Sequence, residues 1–362
     1  MKFLKYILII VGLIVVALGV FIGFIILTDY NPPETEKIIV EQNSGITMGG
    51  DEDFTITTFN IGYCGLDENQ DFFMDGGKKS KSESYEKTME NYNAIAKFLT
   101  EVKPDFYFLQ EVDVKSKRSY SVNQVQLSNE LLNAYSSSFA LNYVAKWVPM
   151  PIFDQMGYVK SGIVTYSKYL TGSSIRYSLP IEEKGIVRYF DLDRAMIETI
   201  IPLKNGKSLY LVNIHLSAYD KGGVIKKKQM DYIINYVNRV YNEDNYMVIG
   251  GDWNQLLDPN LLARYGDSVP YWLGTLPEEI YTLGFNLTFD STNNTVRDNA
   301  TPYVKGETFE TLIDGFLISP NLEIINTKTH DLGFKNSDHN PVTVTLKFIE
   351  NIGVRLHNFT FL

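Results

Sequence analysis

The chain has 362 residues, 44% of them hydrophobic and 21% charged, a globular composition that excludes a wholly disordered or collagen-like chain. Its 33 Lys+Arg against 43 Asp+Glu leave a formal net charge of −10. That excludes a general cationic field for nucleic acid and suits a protein that concentrates divalent cations. The single cysteine, Cys64, excludes an intramolecular disulfide, and zinc-finger spacings are absent.

Residues 7–27 carry no charge. At about 1.5 Å per residue, a helix over them is roughly 30 Å long, enough to cross a hydrocarbon core. Lys2 and Lys5 precede it, and Asp29, Glu34 and Glu36 follow. The positive-inside rule then predicts a cytoplasmic N-terminus and an exported remainder. The competing reading is a cleaved signal peptide. The stretch is longer than a usual h-region of roughly 7–15 residues and ends in no A-x-A site, so an uncleaved anchor over 1–30 is expected. Asn31-Pro32-Pro33 stops the helix, and 31–51 reads as a short linker.

Phe54 to Phe59 is β-branched and aromatic and reads as a strand. Residues 84–102 place Met89, Tyr92, Ile95, Ala96 and Leu99 on one helical face. A short apolar strand, 106–109, a helix over 123–134, and strands near 139–145, 162–166, 173–178, 194–201 and 208–214 follow. An amphipathic helix is expected over 226–241, with Lys226-Lys227-Lys228 on its solvated face, then a buried strand from Tyr246 to Ile249. Residues 255–310 have no clear period and read as long functional loops. Strands return at 312–318, 322–328 and 341–348. Mostly strands with dispersed helices, the pattern predicts two packed sheets with helices outside, in one domain over 52–349, followed by a tail, 350–362.

Polar residues recur at the ends of these strands. Asn60 follows Phe59; Gln110-Glu111 follow Leu109; His215 follows Ile214; Asp252-Trp253-Asn254 follow Gly251; Asp314 follows Ile313; Ser337-Asp338-His339-Asn340 precede the last strand. Such groups are costly at buried strand ends unless satisfied. Singly, each has a bland reading. Asn60 suits a turn before Gly62, Glu111 a solvated loop, Asp252 and Asn254 an Asx turn, and Asp338 a cap before Pro341. As a set they suit an oxygen-rich cation site flanked by two histidines. His330 and His357 lack such a context and read as structural or exposed.

The blocks Thr58-Phe59-Asn60, Leu109-Gln110-Glu111, Asn213-Ile214-His215-Leu216, Gly251-Asp252-Trp253-Asn254, Ile313-Asp314-Gly315 and Ser337-Asp338-His339-Asn340-Pro341 resemble, in order, those of the endonuclease/exonuclease/phosphatase superfamily, which includes DNase I. The resemblance covers about 52–348. It implies an α/β fold, a four-layer α-β-β-α sandwich, here preceded by one transmembrane helix. It also implies roles. Asn60, Glu111 and Asp338 would hold Mg²⁺ or Mn²⁺. Asp252 and Asn254 would orient the attacking water and a phosphate oxygen. His339, its ring fixed by Asp314, would contact the phosphate or move a proton. His215 would sit across the phosphate, and Arg194 would bind the anion side.

His215 stands where abasic-site endonucleases resemble Tyr-x-Pro-Asn, so abasic-site repair is disfavoured. Arg118 and Arg297 are candidates for binding a second phosphate or a headgroup, and Trp147 and Met150 for lining a cleft or touching lipid, with ordinary loop packing as the alternative for each. Gly76-Gly77-Lys78 fails the Walker A pattern, and G-x-S-x-G and H-E-x-x-H are absent. The expected protein is a membrane-anchored, extracytoplasmic, metal-dependent phosphoric-ester hydrolase. Its substrate would be a nucleic acid, a phospholipid headgroup or a small phosphodiester, and no protein partner is inferred. The alternatives are a nucleotide-scavenging nuclease and a surface binding protein on the same fold.

Overall fold

A computed structural model describes residues 2–182, 185–220, 222–266 and 269–349; the tail 350–362, with His357, lies outside the described residues. In chain order the elements begin with α1 (Lys2–Leu27), β1 (Thr35–Lys37), β2 (Val40–Glu41), β3 (Phe54–Asn60), α2 (Tyr85–Val102) and β4 (Phe106–Asp113). Next come α3 (Gln124–Leu131), β5 (Ser136–Val148), β6 (Gly157–Ser167), β7 (Ser173–Ser178), β8 (Ala195–Pro202), β9 (Ser208–His215), α4 (Val224–Val240) and β10 (Tyr246–Asp252). The remainder is β11 (Gln255–Leu256), α5 (Leu262–Tyr265), β12 (Gly274–Thr275), β13 (Asn286–Thr288), β14 (Val296–Arg297), β15 (Glu310–Thr311), β16 (Asp314–Ile318), β17 (Leu322–Thr329) and β18 (Val342–Phe348).

Two seven-stranded sheets carry the fold, in the orders β1-β7-β8-β9-β10-β16-β13 and β17-β18-β3-β4-β6-β5-β2. Strand alternation explains how they stack. On β4, Phe106 and Phe108 join a core with Leu211, Val248 and Phe316 of the facing sheet. The intervening Tyr107 and Leu109 face outward and pack on Tyr92, Ile95, Phe98 and Leu99 of α2. On β10, Val248 faces the inner core, while Met247 and Ile249 pack on Met230, Ile233 and Val237 of α4. Both faces of each central strand are therefore buried, which is why those strands read as continuous apolar runs. The result is the expected α-β-β-α sandwich. Between the sheets, Gln110 Nε2 donates to Asn213 Oδ1 at 2.8 Å and Asn213 Nδ2 donates to the Val164 carbonyl at 2.9 Å. This satisfied polar staple ties the layers together near the strand ends that carry the site.

Local signals set the helix limits. Ser84 caps α2 by accepting from Lys87 N at 3.0 Å, and Lys103 ends it in the left-handed region at φ 46°, just before Pro104. α1 is long and apolar enough to cross a membrane.

The stretch 31–51 differs from a free linker. β1 pairs with β7 and β2 with β5, so it contributes an edge strand to each sheet. The segment 255–310 contains the short strands β11 to β14 among turns; each is too brief to show a period. Lys226 also departs from its expected solvated position. It is buried, and its ammonium donates to the carbonyls of Asn254, at 2.9 Å, and Trp272. Lys227 and Lys228 are exposed, as a solvated face requires.

Candidate active site

Sheet register aligns the first side chains. Asp252 ends β10 directly opposite His215, which ends the parallel neighbour β9, and opposite Asp314, which begins the antiparallel neighbour β16. C-terminal ends of parallel strands and N-terminal ends of antiparallel ones share one sheet edge, so all three groups arrive together. In the facing sheet Asn60 ends β3 beside Gln110 on the parallel strand β4. β4 is then irregular between Leu109 and Val112, and Glu111 adopts φ 55° there. The bulge breaks the alternation and re-aims the Glu111 carboxylate into the cleft.

Ser337-Asp338-His339 arrive on the turn entering β18. Ser337 Oγ donates to the Asn60 carbonyl at 2.9 Å, and the Arg297 amide donates to the Asp338 carbonyl at 3.0 Å. Gly62, at φ 50°, leaves room for this turn: a Cβ there would lie 2.8 Å from Asp338 Oδ1. At Gly251 (φ 143°) a Cβ would lie 2.0 Å from the Ile214 carbonyl oxygen, so only glycine lets β10 and β9 meet just before the site.

Asn60, Glu111, Arg194, His215, Asp252, Asn254, Asp338 and His339 line one cleft. Asp314 stands behind His339, its Oδ2 2.9 Å from Nδ1. Asp314 is held by its own backbone, since the amides of Ile313 and Asp314 both donate to Thr295 Oγ1, at 3.0 and 3.1 Å. Asp252 Oδ2 accepts from Asn60 Nδ2 at 3.0 Å. It also lies 3.4 Å from His215 Nε2 and 3.8 Å from His339 Nε2. Asp252 Oδ1 accepts from the Asn254 amide at 2.9 Å, and Asn60 Oδ1 accepts from the Gly62 amide at 3.0 Å. The Asx turns of the bland readings thus exist, and they orient the same side chains that face the cleft.

The electrostatics follow from burial and pairing. Burial raises the pKa of Asp252, with Asp314 adding to the rise. Burial also raises Glu111, against the pull of Arg118. Burial lowers His215, and the positive Arg194 and His339 lower it further. For His339 burial acts downward, but the carboxylates of Asp314 and Asp252 prevail and hold it above its usual value. Ligand atoms of Asp252, Asp314 and His339 lie within 4.8 Å of one another, a buried group of a kind that can hold a metal ion.

Three arginines border the cleft, Arg118, Arg194 and Arg297. Arg194 is buried; its Nη1 donates to the His215 carbonyl at 3.4 Å, and its Nε has no partner among the described residues. Arg118 stacks 4.0 Å from the Tyr63 ring centroid. It grips Asp113 through Nε at 3.2 Å and Nη2 at 3.0 Å, leaving Nη1 3.6 Å from Glu111 Oε2. Arg297, a candidate for binding a second phosphate, does different work. It is buried, with Nη1 on the carbonyl of Asp298 and Nη2 nearest that of Asp67, and so braces a loop of the cleft wall. His330 contacts Thr343 Oγ1 at 2.8 Å, a structural position.

Further side chains join the site. Asn299 Nδ2 donates to Asp338 Oδ2 at 2.7 Å. Lys226 clamps the Asn254 carbonyl. Tyr219 Oη donates to Asp75 Oδ1 at 2.7 Å in the cleft wall. Asn299 lies in an irregular stretch where no sequence period marks it; Lys226 was hidden inside a lysine run.

The Endonuclease/Exonuclease/phosphatase family profile matches residues 57–339. The chain belongs to this family. Its fold is shared by an endonuclease/exonuclease/phosphatase from Beutenbergia cavernae, at 17% identity and a TM-score of 0.57 over 82% of this chain and 72% of that one. It is also shared by TDP2 of D. rerio complexed with a single-strand DNA product, at 16% identity and TM-score 0.52 over 82% and 100%. A third is ANGEL2, a 2′,3′-cyclic phosphatase, at 14% identity and TM-score 0.54 over 86% and 98%. Among curated proteins none matches the chain significantly.

Proposed function

We propose that this chain is a metal-dependent phosphoric-ester hydrolase, anchored by α1 with its catalytic domain outside the cytoplasm. One observation carries the reading. Asn60, Glu111, His215, Asp252, Asn254, Asp338 and His339, from segments far apart in sequence, line a single cleft, with Asp314 bonded behind His339.

Asn60, Glu111 and Asp338 are the residues that would hold Mg²⁺ or Mn²⁺. The donor set fits a hard cation that retains waters. Glu111 is a half-buried carboxylate at the cleft wall whose nearest polar contacts stand at 3.4 Å and 3.6 Å, so its oxygens are open to a cation. When bound, such an ion supplies Lewis-acid stabilisation of a phosphate oxygen. In the compact Asp252–Asp314–His339 group, His339 Nδ1 and Asp314 Oδ2 are already engaged with each other.

The protein's own groups then divide the work. Asp252, oriented by Asn60 and the Asn254 amide, positions and polarises the attacking water. Asn254 holds a phosphate oxygen. The imidazolium form of His339, favoured by Asp314, stabilises the charge that develops on the phosphorus oxygens or donates the proton that the leaving oxygen needs. Neutral His215 sits across the phosphate, and Arg194 binds its anionic side. Attack is in line and forms no covalent enzyme intermediate.

The test is turnover by the full chain, in detergent, of plasmid DNA, RNA, sphingomyelin and inositol phosphates in parallel. Hydrolysis of any one supports the reading and names the substrate. Inertness toward all four, with bis-p-nitrophenyl phosphate also untouched, favours a binding protein on the same fold.

A further inference from the structure

We infer that the tip of the β5–β6 hairpin, Met150–Phe153, docks on the surface of the bilayer that α1 enters, and that the catalytic cleft opens beside it at the headgroup layer. The inference rests on the anchor reading and goes beyond it.

The tip is unusual for a water-facing turn. Met150, Ile152 and Phe153 are 48%, 66% and 103% exposed. Lysines border it: Lys146 is exposed on β5 and Lys117 Nζ lies 5.0 Å from the Trp147 ring centroid, while Lys81 pairs with Asp154 at 2.5 Å. A chain of net charge −10 thus places positive charge beside its apolar tip. Apolar side chains bordered by cations suit the boundary between acyl chains and anionic headgroups.

Contacts connect this tip to the foot of the helix. Just past α1, the Asp29 carboxylate accepts from Arg188 at 3.1 Å. The chain runs on to Phe190, whose carbonyl accepts from Tyr143 Oη at 2.9 Å. Phe190 and Leu192 pack against Tyr143, Val148 and Met156, and Val148 and Met156 bracket the tip. Tyr143, Met156 and Leu192 also line the cleft. Helix foot, hairpin base and cleft wall are therefore continuous. A phosphoester held in the membrane plane would reach the cleft without leaving the lipid.

The test uses the full chain in phosphatidylethanolamine/phosphatidylglycerol vesicles, with an environment-sensitive nitrobenzoxadiazole label on single introduced cysteines; Cys64 is buried. Phe153→Cys reports the tip and Val16→Cys the helix. Glu323→Cys reports β17, at the opposite edge of the sheet from β5. Doxyl-labelled lipids should quench the Phe153 and Val16 labels and spare Glu323. Quenching at Val16 alone overturns the docking and leaves the anchor standing. No quenching at Val16 overturns the anchor and the docking with it. A blue-shifted but unquenched Phe153 label means that protein covers the tip, and also overturns the docking.

Discussion

Asp252 and Asp314 stand opposite each other on neighbouring antiparallel strands, yet they meet different partners. Asp314 is spent on His339 Nδ1, whereas Asp252 is shared among Asn60, His215 and the Asn254 amide. One carboxylate therefore tunes a histidine, and the other faces the cleft. Two chemically identical groups are given two tasks by environment alone.

That division makes the histidines separable from the fold. His339→Ala and His215→Ala should each lower hydrolysis of bis-p-nitrophenyl phosphate by about 10²–10⁴-fold. Circular dichroism should show both variants folded, with a lower thermal midpoint for His339→Ala because Asp314 loses its buried partner. Activity within a few-fold of wild type in either variant would remove the role assigned to that side chain.

Chelation addresses the metal. EDTA should suppress turnover, and added Mg²⁺ or Mn²⁺ should restore it. Glu111→Gln keeps the shape and removes the charge, so it should raise the Mg²⁺ concentration required for half-maximal rate. An unchanged metal titration in that variant would move the ion away from Glu111.

Lys226 is a positioning residue. Lys226→Met keeps the length of the side chain but leaves the Asn254 and Trp272 carbonyls without their ammonium donor. Two unsatisfied buried acceptors should cost about 1–3 kcal/mol each in chemical denaturation. The kcat should fall as Asn254 loosens, while Lys227→Met, on the solvated face, should change neither quantity.

Asp193 sets a pH dependence of stability. Burial pushes its carboxyl up to about 7 from 3.8, partly offset by the Val144 amide that it accepts. Between those values the unfolded chain has released the proton and the folded chain retains it. Its contribution is therefore complete below about pH 4 and is lost as the pH rises toward 7, by roughly 4 kcal/mol at most. Asp193→Asn should flatten the thermal midpoint over that interval. A wild-type midpoint that rises by the same amount as the variant's across the interval would contradict this.

Much was legible before any coordinates. The apolar runs at 54–59, 106–109 and 246–249 announced central strands because burial on both sheet faces removes polar positions from the pattern. The polar residues ending them stood out for the same reason. Helices α2 and α4 were visible from their inward faces, Tyr92, Ile95 and Leu99 in one and Met230, Ile233 and Val237 in the other. The weaves of β1 and β2 were not visible, because strands of three and two residues carry no period and are ordered only by the sheet edges that receive them. Burial of Lys226 was hidden likewise: one ammonium in a run of three looks solvated until its two carbonyl partners arrive from β10's end and from the loop before β12.

Sequence alone determined the layered architecture, the membrane-length helix and the identity of the chemically capable residues, since periodicity and strand-end polarity are local properties of the chain. Only the tertiary structure decided which carboxylate meets which histidine, that Arg118 serves Asp113 and Glu111 while Arg297 braces a loop, and that Glu111 turns inward at a bulge. Those outcomes depend on register and on backbone twists that bring distant segments within hydrogen-bond reach, and no local pattern encodes the partner across the gap.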